Sequence, residues 1–300
     1  MDAPQKVHFR SLGLKIVGDL YFPAESSPDR QGAAIVVSHP FTAVKEQTAG
    51  LHARCLAEHG FITLAFDAAY QGESEGEPRG LENPTHRAED VRAAVTYLQM
   101  RGAVNPERIG VLGICASGGY VPFAAQTDTR MRAVATVSAM CAGRAHRAKS
   151  PEDQQAALVA ANKDRLREYT DEGLTVVSLF SDDADEREKQ PVLMQQGWRY
   201  YRQPPMQHAR APNTFVLASA SLMANYDSYQ YNSMISPRPL LMIVGSEADT
   251  AHISEDAIRS AKQPKELFVV SNKTHMDLYS DVSGHLPKLV DFFSTYLNSE

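Results

Sequence analysis

The chain has 300 residues, of which 43% are hydrophobic and 22% charged, and its formal net charge at pH 7 is −6. This balance is typical of a soluble globular protein with enough chain for one large domain or two modest ones. A mildly acidic chain lacks the basic surface that nucleic-acid binding needs, and apolar runs such as residues 33–37 and 240–244 are far shorter than a membrane span. Residues 1–6 contain no apolar region of a signal peptide. We therefore expect a cytoplasmic protein with no nucleic-acid or membrane partner, and most simply an enzyme.

The cysteine content narrows the chemistry. The chain has three cysteines, Cys55, Cys115 and Cys141, an odd number at wide spacing that favours neither a disulfide framework nor a zinc site. No metal signature such as H-E-x-x-H occurs, and we expect no cofactor. Cys55 is expected in a helix core and Cys141 at the start of an inserted segment, which leaves Cys115 as the cysteine of functional interest.

Strands and helices are predicted to alternate along most of the chain. Predicted strands lie at 6–10, 15–22, 33–38, 61–66, 109–114 and 133–138. Predicted helices between them lie at 44–59, 88–101 and 118–125. After a helical, charged and aromatic stretch, the alternation resumes beyond the prolines of 235–239 with strands at 240–244 and 266–270 and helices at 254–261 and 286–297. The pattern predicts an α/β core built from residues 1–140 and 237–300, with a parallel sheet between helices, and an inserted helical cap at residues 141–236.

The stretch R-I-G-V-L-G-I-C-A-S-G-G, residues 108–119, is the most informative motif. A buried strand that runs into a turn of small residues and then a helix is the context of the G-x-S-x-G nucleophile elbow. Either Cys115, between Gly113 and Ser117, or Ser117, between Cys115 and Gly119, satisfies this spacing. We favour Cys115 because the strand ends at Ile114 and the nucleophile should follow at once. The N-terminus of the next helix is expected to lower the pKa of its thiol.

The remaining members of a catalytic triad follow from chain order, which in this architecture is nucleophile, acid, histidine. The loop after the strand at 240–244 offers Glu247 and Asp249, and Asp249 is favoured because it lies further out on the loop. His275 follows the last strand. In this arrangement His275 takes the thiol proton or stabilises a thiolate–imidazolium pair, and Asp249 orients its ring.

An oxyanion hole and a substrate pocket are predicted at the same edge of the sheet. The backbone N–H of Ala116, directly after the nucleophile, is one expected donor. The other is Phe41 in the loop after the strand at 33–38, because the neighbouring Pro40 has no N–H. Since ligands bind at the carboxyl ends of parallel strands, Tyr70 is a candidate pocket residue. Aromatic residues of the predicted cap are further candidates: Trp198, Tyr200 and Tyr229.

Several stretches together resemble a known family. Val44–Gly50, Asp67–Gly76, Gly113–Tyr120, Gly245–Thr250, Thr274–Tyr279 and Tyr200–Arg202 are similar to the α/β-hydrolase superfamily. The closest similarity is to its cysteine-nucleophile branch related to dienelactone hydrolase, in the polyketide transferase and thiohydrolase subgroup. The resemblance implies an eight-stranded, mostly parallel sheet with a helical cap, and a triad of Cys115, Asp249 and His275. The subgroup tends to have glycine where this chain has Ser117, which keeps the alternative nucleophile open.

A cysteine nucleophile predicts an acyl hydrolase or acyltransferase that forms an acyl-Cys115 intermediate from an ester, lactone or acyl thioester. The expected partner is a small-molecule acyl substrate, free or carried by coenzyme A or a carrier protein, and a homodimer is left open. Two alternatives stand beside this hypothesis. One is a serine esterase that uses Ser117, and the other is a non-catalytic protein of the same fold that binds a small ligand under the cap. Acylation of the wild-type protein by an activated ester would distinguish either enzyme from the non-catalytic ligand-binding protein.

Overall fold

The computed structural model describes residues 3–170 and 172–298. Its strands, numbered in chain order, are β1 (Gln5–Ser11), β2 (Leu14–Tyr21), β3 (Ala34–Ser38), β4 (Ile62–Phe66), β5 (Ile109–Ile114), β6 (Ala133–Val137), β7 (Val176–Ser178), β8 (Thr214–Val216), β9 (Leu240–Gly245) and β10 (Lys265–Val270). Eight of them form one sheet in the order β1-β2-β4-β3-β5-β6-β9-β10. β1 and β2 are antiparallel to their neighbours, and the remaining pairs of this sheet are parallel. The predicted eight-stranded, mostly parallel sheet is confirmed.

Helices cover both faces of this sheet and fill the segment between β6 and β9. The α-helices are α1 (Thr48–Glu58), α2 (Pro84–Gln99), α3 (Ser117–Ala125), α4 (Ala142–Arg147), α5 (Pro151–Asp164), α6 (Ala184–Glu188), α7 (Val192–Arg202), α8 (Ser219–Met223), α9 (Ala251–Ser260), α10 (Asp277–Ser280) and α11 (Leu286–Asn298). Short 3₁₀ helices occupy Arg165–Tyr169 and Asn232–Met234. Among the described residues, no helix has both the length and the apolar character needed to cross a membrane.

The central strands explain why the sheet can be recognised from the sequence. Every residue of β3, β4, β5, β6 and β9 is buried, because helices cover both faces. A strand buried on both faces has a continuous run of apolar residues in its sequence, instead of alternating apolar and polar residues. Two hydrophobic clusters result, one on each face of the sheet. The carboxyl ends of β3, β5, β6 and β9 therefore meet at one rigid edge, which positions the loops described below.

Some boundaries and elements differ from the sequence-based expectation. α2 begins at Pro84 instead of residue 88, because the Asn83 side chain accepts hydrogen bonds from the N–H groups of Thr85 and His86 and Pro84 fits the first helical turn. α10 was not predicted, since four residues carry too little periodicity to be recognised.

The segment at residues 141–236, called the insert below, contains α4 to α8 and the antiparallel pair β7–β8, which the sequence did not predict. It lies against the loop after β3, where the Gln47 side chain donates a hydrogen bond to the Met206 carbonyl at 2.7 Å. The Arg210 guanidinium pairs with the Glu46 carboxylate. The division into core and cap domains stays a prediction. Met1 and Asp2, part of the segment judged to lack a signal peptide, lie outside the described residues.

Candidate active site

The turn between β5 and α3 has the geometry of a nucleophile elbow. Cys115 has a φ of 56°, in the left-handed region that side chains other than glycine seldom adopt. A Cβ on Gly113 would lie 2.0 Å from the Ser117 carbonyl oxygen, and one on Gly118 would lie 2.6 Å from the Ala139 Cα. Close packing of the turn against its neighbours therefore requires the small residues seen in the motif.

Ser117, the alternative nucleophile, lies beneath this turn and is fully buried. Its hydroxyl donates to the His39 carbonyl at 2.6 Å and accepts from Arg87 Nη2 at 2.9 Å. Ser38 Oγ lies 2.9 Å away on a further side. The hydrogen bonds of Ser117 Oγ thus hold the loop after β3 against α3. Ser117 does not line the cavity described below.

A buried cation supports the same turn. Arg87 is 3% exposed, donates to the His39 carbonyl at 2.6 Å, and lies 5.2 Å above the Tyr120 ring. The Tyr120 hydroxyl in turn donates to Glu82 Oε1 at 2.7 Å. Arg87 was not predicted to belong to the site. Nothing in the local sequence shows that an arginine on a helix will be buried beneath a turn about thirty residues further along the chain.

His275 lies at the same edge of the sheet in the loop after β10. Its Nδ1 is 2.7 Å from Thr250 Oγ1, and its Nε2 is 3.3 Å from the Tyr279 hydroxyl. Its carbonyl accepts a hydrogen bond from Ser138 Oγ at 2.9 Å, which ties the loop to the end of β6. Burial lowers the pKa of His275 to about 3, so the ring is neutral at pH 7.

The structure does not bring the predicted acid to His275. The Asp249 side chain is exposed, and so is that of Glu247, which instead accepts from Ser246 Oγ at 3.0 Å. Thr250, the residue directly before α9, points inward and fills the place beside His275 Nδ1 that Asp249 was expected to occupy. The turn from β9 into α9 decides which of two adjacent side chains faces the sheet, and loop spacing alone does not show this.

The Tyr279 hydroxyl lies between Cys115 and His275. It is hydrogen-bonded to the Cys115 sulfur and lies 3.3 Å from His275 Nε2. Tyr279 belongs to a stretch that resembles the family but was not predicted in the site. It lies on α10, four residues after His275, and this short helix was not predicted.

Two backbone groups converge on the Cys115 sulfur. They are the N–H of Ala116 and the N–H of Phe41, the two donors expected for an oxyanion hole. Burial raises the pKa of the Cys115 thiol, while the hydrogen bonds of Tyr279, Ala116 and Phe41 and the charge of Arg87 lower it in part. The net direction is upward, which favours a protonated thiol at pH 7. The lowering of this pKa by the N-terminus of α3 stays a prediction.

Cys115 opens into a cavity of about 460 Å³ between the sheet edge and the insert. Phe41, Cys115, Ala116, His275 and Tyr279 line its sheet side. The rest of the lining is mostly apolar and comes largely from the insert: Ala142, Ala145, Leu179, Phe180, Leu193, Met194, Gly197, Tyr201 and Met223. A concave, largely apolar cavity with a few polar groups at one point is the usual form of a small-molecule site.

The four predicted substrate-binding residues lie outside this lining. Tyr70 packs edge-on against His86 at 5.3 Å between ring centroids. The Tyr229 hydroxyl donates to the Gly118 carbonyl at 2.9 Å and supports α3 from behind. Both are structural residues of the region around the cavity.

Trp198 and Tyr200 are on α7, but neither side chain lines the cavity. The Arg187 guanidinium lies 4.0 Å above the Trp198 ring, and Tyr200 packs perpendicular to Tyr279 at 5.2 Å. The neighbouring Tyr201 lines the cavity instead. On one helix, adjacent residues face directions about 100° apart, and only the packing of α7 decides which of them faces the ligand space.

One further cluster has the composition of a cation site. Oxygen atoms of Glu46, Asp67 and Glu73 lie within 4.8 Å of one another. The Lys45 ammonium already bonds these three carboxylates at 2.7, 3.0 and 2.6 Å. The fully buried lysine therefore offsets part of the negative charge of this cluster and holds the loop after β3 against the loop after β4.

Comparison with known proteins identifies the family of this chain. The model of the PETase family, described as PET hydrolase-like, matches residues 12–201. The chain belongs to this family of dienelactone-hydrolase-like α/β hydrolases. It is 38% identical to the uncharacterized protein YcjY of Escherichia coli, over 93% of each chain.

Solved structures confirm the α/β-hydrolase fold. The crystal structure of the hypothetical protein PA2218 from Pseudomonas aeruginosa superimposes with a TM-score of 0.90 at 32% identity, over 97% of this chain and 93% of that one. The chain is also 27% identical to polyketide transferase grgF of a Penicillium species, over 97% of this chain and 96% of the relative. Other relatives are named as a thiohydrolase and an acyltransferase. The chain is thus an enzyme of the α/β-hydrolase type, related to acyl hydrolases and acyltransferases.

Proposed function

We propose that this enzyme transfers an acyl group from an ester, lactone or thioester to its own Cys115 and then to water or another acceptor. The observation that carries the proposal is the environment of the Cys115 sulfur. Two backbone N–H groups point at it, a tyrosine hydroxyl joins it to a neutral imidazole, and it opens into an apolar cavity. A nucleophile, a base and oxyanion donors around one point are what acyl transfer needs.

Acylation couples removal of the thiol proton to attack on the substrate. The Cys115 S–H gives its proton to the Tyr279 oxygen while the Tyr279 O–H gives its proton to His275 Nε2. As the proton leaves, the sulfur lone pair forms a C–S bond with the substrate carbonyl carbon. The carbonyl oxygen becomes an oxyanion that accepts hydrogen bonds from the N–H groups of Ala116 and Phe41.

Collapse of this tetrahedral intermediate breaks the bond to the leaving group. The leaving alkoxide or thiolate takes a proton back through Tyr279 from His275, which leaves a thioester on Cys115. Water or an alcohol, amine or thiol acceptor then attacks the thioester with the same groups acting in reverse. The insert covers the cavity and would decide how readily water competes with the acceptor.

Thr250 takes the orienting role in this scheme. If the Thr250 oxygen accepts the Nδ1–H of His275, Nε2 is left as the proton acceptor that the relay requires. An uncharged hydroxyl does not stabilise an imidazolium as a carboxylate would. Proton transfer must therefore accompany attack on the substrate, since a resting thiolate–imidazolium pair is disfavoured by the burial of both groups.

Intact-mass measurement after exposure to p-nitrophenyl butyrate and to butyryl-coenzyme A tests the covalent step. The wild type should gain one butyryl group, and peptide mapping should place it on Cys115. Cys115→Ala should gain none.

Ser117→Gly is the matched variant, because the related subgroup tends to have glycine there. It should still be acylated on Cys115, with any loss of activity accompanied by a lower melting temperature. Acylation that survives Cys115→Ala and vanishes in Ser117→Gly would establish the serine esterase instead. If the folded wild type is acylated by neither reagent, the non-catalytic ligand-binding alternative is supported.

A further inference from the structure

The wall of the cavity formed by the insert carries two nitrogen-bearing side chains in a mostly apolar surface. His146 on α4 and Lys149 just beyond it both line the cavity. They are three residues apart, and the Lys149 N–H donates to the His146 carbonyl at 3.4 Å, so the helical path continues through both. Residues three apart on such a path lie on the same face.

His146 is only 8% exposed, and its Nε2 has no hydrogen-bond partner among the described residues. A buried nitrogen left unpaired is destabilising. The same side chain contributes to the cavity lining, so a bound molecule can supply the missing partner. Burial, together with the charges of Lys149 and Arg147, lowers the pKa of His146. The neutral ring can donate one hydrogen bond from Nε2.

Lys149 supplies a positive charge beside this nitrogen. Its side chain is exposed, and no ion pair involves its ammonium in the described part of the chain. The other cations of α4 are occupied, since Arg144 and Arg147 both pair with Asp227, at 3.1 and 3.3 Å. Lys149 is therefore the cation of this segment that is free to meet a ligand at the cavity wall.

His146 and Lys149 line the same cavity as Cys115, and the remaining lining is mostly apolar. Met140, whose N–H donates to the Cys115 carbonyl at 2.8 Å, marks the end of the lining near the sulfur. His146 lies about 6 Å further along α4 than Ala142, the first residue of that helix. A substrate that reaches both ends has a carbonyl at Cys115, an apolar chain, and a hydrogen-bond-accepting anion at His146 and Lys149.

We propose that His146 and Lys149 form a distal subsite for the carboxylate of a dicarboxylic acyl group, whose other end is the carbonyl attacked by Cys115. The proposal rests on the proposed function and specifies its substrate class. A carboxylate accepts the His146 hydrogen bond and the Lys149 charge together, whereas an alkyl end leaves both unused.

The test compares mono-p-nitrophenyl esters of succinate, adipate, suberate and sebacate with p-nitrophenyl n-alkanoates of the same lengths. Both series share one leaving group, so a difference in kcat/KM reports the acyl group alone. At the length that spans the cavity, the wild type should favour the acid-ended ester about tenfold, as expected for one charge-assisted hydrogen bond.

Variants assign this preference to the two residues. Lys149→Met and His146→Leu should bring the ratio of the acid-ended to the alkanoate kcat/KM down to about one, while His146→Gln, which keeps a donor, should retain part of the preference. Lys163→Met removes an exposed cation on α5, outside the cavity, and should change nothing.

The outcomes separate the two proposals. If alkanoates acylate Cys115 but the acid-ended esters gain no advantage at any length, the subsite is wrong and the proposed function stands. An advantage that is unchanged in Lys149→Met, or that appears equally with uncharged hydroxyl-ended esters, also overturns the subsite. If neither series acylates Cys115 in the folded wild type, the proposed function itself fails.

Discussion

The two walls of the cavity are built differently. On the sheet wall, the groups around Cys115 are bonded to one another: Tyr279 to the sulfur and to His275, and His275 to Thr250. On the insert wall, the lining is mostly apolar, and the polar groups of His146 and Lys149 have no partner in the described chain. In the proposed mechanism, the reaction takes place at the rigid sheet edge and the insert selects the substrate. Changes on the sheet wall should therefore alter rates for every substrate.

The largest effect is expected from His275, the proton acceptor of the sheet wall. His275→Gln should lower the acylation rate about 10³-fold for every ester, because general-base assistance is lost. Pre-steady-state release of p-nitrophenol measures this rate. The matched control is His252→Gln, which changes an exposed histidine on α9 and should leave the rate unchanged. A His275→Gln variant as fast as the wild type would remove His275 from the mechanism.

Tyr279 should have the next largest effect. Tyr279→Phe removes the hydroxyl between sulfur and imidazole, so kcat should fall about 10- to 100-fold, with KM little changed. Because the hydrogen bond of this hydroxyl lowers the pKa of the Cys115 thiol, its loss should shift the pH dependence of Cys115 alkylation by iodoacetamide to higher pH.

Tyr200→Phe is the control for this change, since Tyr200 packs against the Tyr279 ring without being hydrogen-bonded to Cys115. It should leave the alkylation profile in place. An unshifted profile in Tyr279→Phe would mean that Tyr279 only fills space.

A smaller effect should separate Thr250 from Asp249. Thr250→Val keeps the shape of the side chain but removes the partner of His275 Nδ1, and kcat/KM should fall about tenfold. Asp249→Asn changes an exposed carboxylate and should have little effect. The reverse order of the two effects would restore Asp249 as the acid predicted from the loop spacing.

The smallest effect concerns stability and not rate. His52 and His285 lie behind α10, with their Nε2 atoms 2.9 Å apart. Burial lowers the pKa of His52 to about 4 and that of His285 to about 3, the latter with a further contribution from the charge of His52. Between these values and about 6.5 the unfolded chain binds more protons than the folded one, so stability falls as the pH falls through this range.

Each proton taken up in this way changes the free energy of unfolding by about 1.4 kcal/mol per pH unit. Urea titrations between pH 7 and 4 should show the slope, and His285→Asn should make it shallower. His252→Gln is again the control, because its side chain is exposed. If the free energy of unfolding of the wild type does not change with pH, then protonation of His52 and His285 does not destabilise the folded protein.

The sequence determined most of the sheet and the elbow. Strands such as β3 and β5 are continuous apolar runs because both their faces are covered, and such runs are local features of the sequence. Gly113 and Cys115 mark the elbow because the turn itself demands small neighbours. His275 follows from chain order once the last strand is recognised.

Only the tertiary structure decided which side chains meet. Thr250 and Asp249 are adjacent, and the path from β9 into α9 turns one inward and leaves the other in solvent. Ser117 fits the elbow motif as well as Cys115 does, but bonds to Arg87 and His39 hold its hydroxyl beneath the turn. In the insert, the packing of α7 places Tyr201, and not Tyr200, in the cavity lining. These outcomes depend on contacts between residues far apart in the chain, which local spacing does not encode.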